Sequence, residues 1–196
     1  FNLQNTMRGQ PDLSLLPAMA IDDIQVQAGG NSALYGSGAI GGSIYLKSKF
    51  VYADDSVHYA AQLRYGQFGN RQYFMQVALP FFARSKLALK AYTNSATNNY
   101  SFKNTAITGS PIQKLAHAAY SQQGFLVDFE HRTGSNKKIE FHYWFHQNAR
   151  NLPATMLQSV SKANQQDVSH KATIEWNKTT ERTKWQFRTG YFYDEL

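Results

Sequence analysis

Gly29 to Lys49 reads GGNSALYGSGAIGGSIYLKSK. It holds glycines at 29, 30, 36, 38, 41 and 42, six of the 13 in the chain. A strand-like run, Ile21 to Gln27, leads in and alternates around Ile24 and Val26. Another, Ser43 to Lys49, leads out with Ile44 and Leu46 on one face. Gly36-Ser37-Gly38-Ala39-Ile40-Gly41 matches G-x-G-x-x-G letter for letter. That pattern holds a dinucleotide only where a strand runs into it and a helix comes after it. The residues after it here, SIYLKSK, have strand character, so the glycines are read as backbone that packs closely and turns at positive φ. The stretch is a boundary between two kinds of structure.

Downstream of it the hydrophobic period is two. Seven strands are expected, at about 57–67, 72–80, 86–95, 119–131, 138–147, 167–177 and 183–194. One face carries Tyr59, Leu63, Tyr73, Met75, Leu89, Phe125, Phe141, Tyr143, Phe145, Ile174, Trp185 and Phe187. The other carries Gln62, Arg64, Gln76, Lys90, Asp128, Glu130, Glu140, His142, His146, Lys171, Glu175 and Arg188. An antiparallel sheet with one wet side has this pattern. So does a barrel with lipid outside and water inside.

The gaps favour the barrel. Residues 96–118 and 148–166 are long and both come after odd-numbered strands, while every gap after an even-numbered strand is short. Membrane barrels sort their loops in this way, with short periplasmic turns and longer outer loops, and their tilted strands need about 9–11 residues. A soluble antiparallel adhesion or scaffold protein explains the alternation but not the loop sorting. A lipocalin-like barrel puts its apolar face inside.

Composition narrows the classes further. Charged residues make up 17% and aromatics 14%, with 12 Tyr and 13 Phe. No apolar run approaches the length of a transmembrane helix. The absence of cysteine excludes thiolate metal sites, cysteine nucleophiles and disulfides. The net charge of +7 is scattered, with no basic run of five, so it reads as solvated polar faces rather than a nucleic-acid surface. His142 and His146 share a strand face but stand about 13 Å apart at 3.3 Å per residue, too far to share a metal ion. No catalytic constellation, metal site or cofactor motif emerges. The chain opens at Phe1 without a leader pattern and closes in mid-pattern at Leu196, which reads as a piece of something longer.

Ile21-Asp22-Asp23-Ile24-Gln25-Val26, then Ser32 to Gly42, then Ser43-Ile44-Tyr45-Leu46 together resemble the end of the plug domain of TonB-dependent outer-membrane receptors. Pro11 to Pro17 fits the approach to that strand. Ala28-Gly29-Gly30 departs from the Arg-Gly-Pro of many members. The specific match covers about 40 residues, and the loop composition and strand order look most similar to the vitamin B12 receptor group.

The resemblance implies an all-β fold: the end of a plug domain over 1–49, a connector over 50–56, and over 57–196 the first seven or so antiparallel up-and-down strands of a transmembrane β-barrel. A complete barrel of this kind has about 22 strands. It implies active transport of a scarce nutrient across the outer membrane of a Gram-negative bacterium: vitamin B12 or a related corrinoid, or alternatively a ferric siderophore. The implied partners are a TonB-type energy-coupling protein acting through plug residues before Phe1, the ligand, and outer-membrane lipid, with no nucleic acid.

The residues expected to meet a ligand lie in the long gaps: Tyr100 and Phe102, then Asn148, Arg150, Asn151 and Met156. Rings supply flat contact area, and amides both donate and accept hydrogen bonds. Ser32, Ala33, Leu34, Tyr35, Gly36, Gly38, Ile40, Gly41 and Gly42 are expected to serve backbone fit where plug meets barrel. Tyr191 and Tyr193 are expected in the aromatic girdle.

Overall fold

The structure is a computed structural model and describes residues 20, 21, 23–29, 42–47, 56–158 and 160–195. The glycine motif from Ser32 to Gly41, the approach segment from Pro11 to Pro17, and residues 50–55 of the expected connector lie outside these. Gly42 is described where it opens a strand.

Two strands flank the glycine stretch. β1 (Asp23–Ala28) and β2 (Gly42–Lys47) pair antiparallel, with Ile24 opposite Leu46 and Val26 opposite Ile44. The two aliphatic alternations therefore meet in register as cross-strand pairs. Leu46 is placed here by its backbone position alone.

The remaining long strands form one antiparallel sheet of seven. In chain order these are β3 (His58–Tyr65), β4 (Arg71–Pro80), β5 (Ser85–Ala96), β8 (Tyr120–Arg132), β9 (Lys137–Asn151), β10 (Asn164–Thr179) and β11 (Lys184–Glu195). Each pairs with its predecessor, so the sheet is a meander with β3 and β11 at its edges. Every expected strand has its counterpart.

The links 81–84, 133–136 and 180–183 lie together at one end and are four residues each. The other end carries a short 3-10 turn (Gln67–Gly69) and the two long connections. One of these contains a ribbon, β6 (Ser101–Lys103) with β7 (Ile112–Lys114). Two expectations change here. The first long gap is structured by this ribbon. The second is shorter than expected, because β9 and β10 continue pairing through Asn148↔Asp167, Arg150↔Gln165 and Asn151↔Asn164. Asn148, Arg150 and Asn151 are therefore strand residues. Polar groups on both faces of this end hide the alternation, but the backbone ladder does not need it. β10 has 16 residues. At 3.3 Å per residue and a 45° tilt it rises about 37 Å, more than a hydrocarbon layer of about 30 Å, so its end extends beyond one.

The faces of the sheet settle which side is inside. The covered face holds charge: Lys90, Asp128, Glu130 and Lys171 are each no more than 6% exposed. The open face holds rings and aliphatics: Tyr59 is 85% exposed, Met75 65% and Trp185 61%. A water-soluble sheet or lipocalin-like barrel has the reverse arrangement, since burying apolar surface is what stabilises it. Burying ions while exposing rings is stable only where the open face meets lipid.

Candidate functional site

The covered face divides into three zones along the strands. At the short-turn end it carries ion pairs. Glu130, Glu140 and Glu175 align across β8, β9 and β10. Arg132 Nε donates to Glu130 at 2.7 Å, Lys138 reaches Glu140 at 2.9 Å, and Arg188 Nε donates to Glu175 at 2.6 Å. Three aligned carboxylates repel one another, and the cations offset that: Arg132 and Lys138 from the same strands, Arg188 from β11.

The middle zone is aromatic. Phe74, Tyr92, Gly124, His146 and Ser169 form one row across β4, β5, β8, β9 and β10. Adjacent strands are about 4.8 Å apart, so Tyr92 and His146 lie roughly 9.6 Å apart at the backbone. Gly124 has no side chain, and Tyr92 lies across it. The Tyr92 hydroxyl meets His146 Nδ1 at 2.7 Å and accepts from Trp144 Nε1 at 3.2 Å. The buried groups His146 Nε2 and Ser169 Oγ have no hydrogen-bond partner among the described residues. His142 lies four residues back and bonds Asp128 at 2.7 Å, so each histidine has its own neighbour. Ala20 docks on this zone. It forms a buried cluster with Phe74 and Tyr92, against which Leu126 packs, and its carbonyl accepts from Lys90 Nζ at 3.2 Å.

The third zone, at the long-loop end, is a belt of amides. Asn70 Nδ2 donates to the Tyr120 hydroxyl, which donates to Asn94 Oδ1; Asn94 Nδ2 donates to Gln122 Oε1. Gln122 stands opposite Asn148 in the register. Asn148 donates to Asp167 at 3.1 Å, Gln165 donates to Asp167 at 2.9 Å, and both Nε and Nη2 of Arg150 donate to Gln165 Oε1. The belt holds side-chain donors and acceptors in place on a rigid wall, and such groups fix the orientation of a polar ligand.

The two long connections cap this belt and are tied to each other. Asn104, 2% exposed, is the tie. Its Nδ2 donates to Gln113 Oε1 and to the Met156 carbonyl, each at 2.9 Å, and its Oδ1 accepts from Ala106 N. His117 Nε2 lies 2.8 Å from the Ala163 carbonyl, and Asn151 N donates to the Ala119 carbonyl. Tyr100 packs edge-on against Phe68 at 5.6 Å.

Of the expected ligand residues, Asn148 and Arg150 fall in the amide belt. Asn151 ends β9 beside it. Met156 contributes its carbonyl to the tie while its side chain is exposed. Tyr100 and Phe102 belong to the β6–β7 connection. The sequence does not single out Asn70, Asn94, Tyr120, Gln122, Gln165 or Asp167, nor the middle-zone aromatics Phe74 and Tyr92 of the row and Trp144 beside it. The signal for the row was present. These three aromatics fall on the polar parity of their strands, where a ring has no lipid to meet and so needs a protein partner.

A sheet that covers its ions, exposes its rings and takes a preceding segment onto its polar face is the wall of a plugged membrane β-barrel. Residues 1–43 match the family model described as TonB-dependent Receptor Plug Domain. The chain thus resembles the TonB-dependent receptors, most of all their vitamin B12 group. Over 64 residues it is 39% identical to the vitamin B12 transporter BtuB of Vibrio vulnificus (strain YJ016), a stretch covering 33% of this chain and 10% of that protein. The chain thus aligns with about a tenth of that relative. The family consists of outer-membrane transporters, not enzymes.

Proposed function

We propose that the chain is part of an outer-membrane receptor that imports a scarce nutrient with energy from a TonB-type partner, and that the nutrient is vitamin B12 or a related corrinoid. The supporting observation is a polar wall with a plug segment seated on it at Ala20, beneath a belt of fixed amides. In this reading residues 1–49 are the end of the plug, 50–56 a connector and 57–196 barrel wall. The long-loop end faces outward, and Tyr100, Phe102, Asn148, Arg150, Asn151 and Met156 are ligand contacts. The corrinoid is favoured by the similarity to the vitamin B12 transporter. A belt dominated by neutral amides also suits a large ligand rich in hydrogen-bonding groups. Ligand binds outside, the coupling partner engages the plug, and the plug shifts to open a path along the wall; no bond is made or broken.

The test is equilibrium binding and energy-dependent uptake by the full-length receptor, in cells lacking any other corrinoid receptor. Cyanocobalamin is compared with a panel of ferric siderophores. Uptake of cyanocobalamin alone supports the reading. Uptake of a ferric siderophore alone replaces the corrinoid with the sister ligand class.

A further inference from the structure

We propose that Lys90, Phe74, Tyr92 and Leu126 form a seat on the barrel wall that latches the plug segment at Ala20, and that this latch opens during transport. Four observations carry the seat. Ala20 is 1% exposed, and its neighbours in space come from β4, β5 and β8, far along the chain. Lys90, itself 3% exposed, donates to the Ala20 carbonyl from across the sheet. Tyr92 is held from behind by His146 and Trp144, which keeps its ring a fixed platform. Beyond Ala20 the covering thins: Ile21 and Asp23 are half-buried, and β1 is exposed from Ile24 to Ala28.

The chemistry suits a latch rather than a permanent weld. A lysine bonding a backbone carbonyl recognises position and not side-chain identity. Such a charge-assisted bond is strong when dry and easily replaced by water once the segment lifts. The apolar contact is small, because Ala20 presents one methyl group. Among the described residues, lifting Ala20 breaks its carbonyl bond to Lys90 and uncovers little apolar surface. The seat needs a residue as small as alanine at position 20, and it needs the cation at position 90.

The latch function rests on the transport reading above, whereas the seat rests on geometry, and the experiment separates the two. In the full-length receptor in living cells, Ala20→Cys is combined with Leu126→Cys; the 196 residues contain no other cysteine. A short bis-methanethiosulfonate cross-linker, which forms a reducible disulfide with each cysteine and releases methanesulfinate, should join the pair in the resting receptor, seen as a gel shift after unfolding. Surface binding of ligand should persist, and uptake should be lost until reductant restores it.

Separately, Lys90→Met and Ala20→Leu should each raise entry of a large hydrophilic antibiotic several-fold without any ligand. Failure to cross-link overturns the seat. Full uptake while cross-linked, or unchanged antibiotic entry in both single variants, overturns the latch. If cyanocobalamin does not bind at all, the corrinoid reading falls, and cross-linking and antibiotic entry still decide the latch.

Discussion

Gly124→Ala tests the aromatic row most sharply. A Cβ at position 124 meets the Tyr92 hydroxyl at 2.5 Å and Tyr92 Cζ at 2.8 Å, and it presses on the backbone carbonyl of Phe145. The Phe145 carbonyl lies in the strand paired with β8 and has little room to yield. The Tyr92 ring must therefore move. Overpacking of this kind costs about 1–3 kcal/mol. A displaced ring also loses its bonds to His146 and Trp144, each worth about 1 kcal/mol net. The sum is roughly 3–5 kcal/mol at the upper end, large against a total stability of about 5–15 kcal/mol.

The assay is equilibrium unfolding of the full-length receptor in detergent or lipid, with a Tyr92→Leu background as the control. Without the aromatic ring, Gly124→Ala keeps only the carbonyl contact and should cost at least about 1 kcal/mol less, which the double-mutant cycle reads directly. Wild-type stability of Gly124→Ala, or an equal cost in both backgrounds, would refute the account of the row.

The same geometry makes other outcomes testable. Asn104→Ala removes the buried one of the ties between the two long connections and should cost about 1–3 kcal/mol locally. Limited proteolysis should then cut within 104–118 and 152–163 far faster, with the barrel strands still protected. Arg188→Ala breaks a pair whose arginine side chain is 55% exposed, so unfolding should shift by less than about 1 kcal/mol. Lys171→Ala should cost more, because that lysine is buried, bonds Asp194 at 3.1 Å and stands 5.8 Å from the Trp144 ring. The 196-residue chain expressed alone presents two unpaired sheet edges and an apolar face. Sedimentation should find it associated or dependent on detergent, and a monodisperse monomer in plain buffer would count against the open wall.

The strands were legible because each alternates over eight or more residues between two strongly different faces. Loop parity was legible because it needs only lengths. The features that escaped detection lacked one of these signals. β6 and β7 are three residues each, too short to show a period, and the buried amide of Asn104 beside them has partners 9 and 52 residues away. The extension of β9 and β10 through Asn148 to Asn151 has polar groups on both sides, so no period shows. Asn148 and Arg150 were found as types but misplaced in a loop. The rest of the amide belt was passed over because amides on a wet face are ordinary until the register aligns them. The Tyr92–His146 contact depends on Gly124 between them, a relation that appears only once three strands are in register.

The apolar face meets lipid and the charged face lines the interior. Single spin labels placed in turn at 125, 141, 143 and 145, and at 128, 142, 144 and 146, of the full-length receptor in bilayers measure this directly. Accessibility to oxygen dissolved in the lipid should be high at the first set and low at the second, alternating residue by residue along β9. A reversed alternation, or none, would contradict the account.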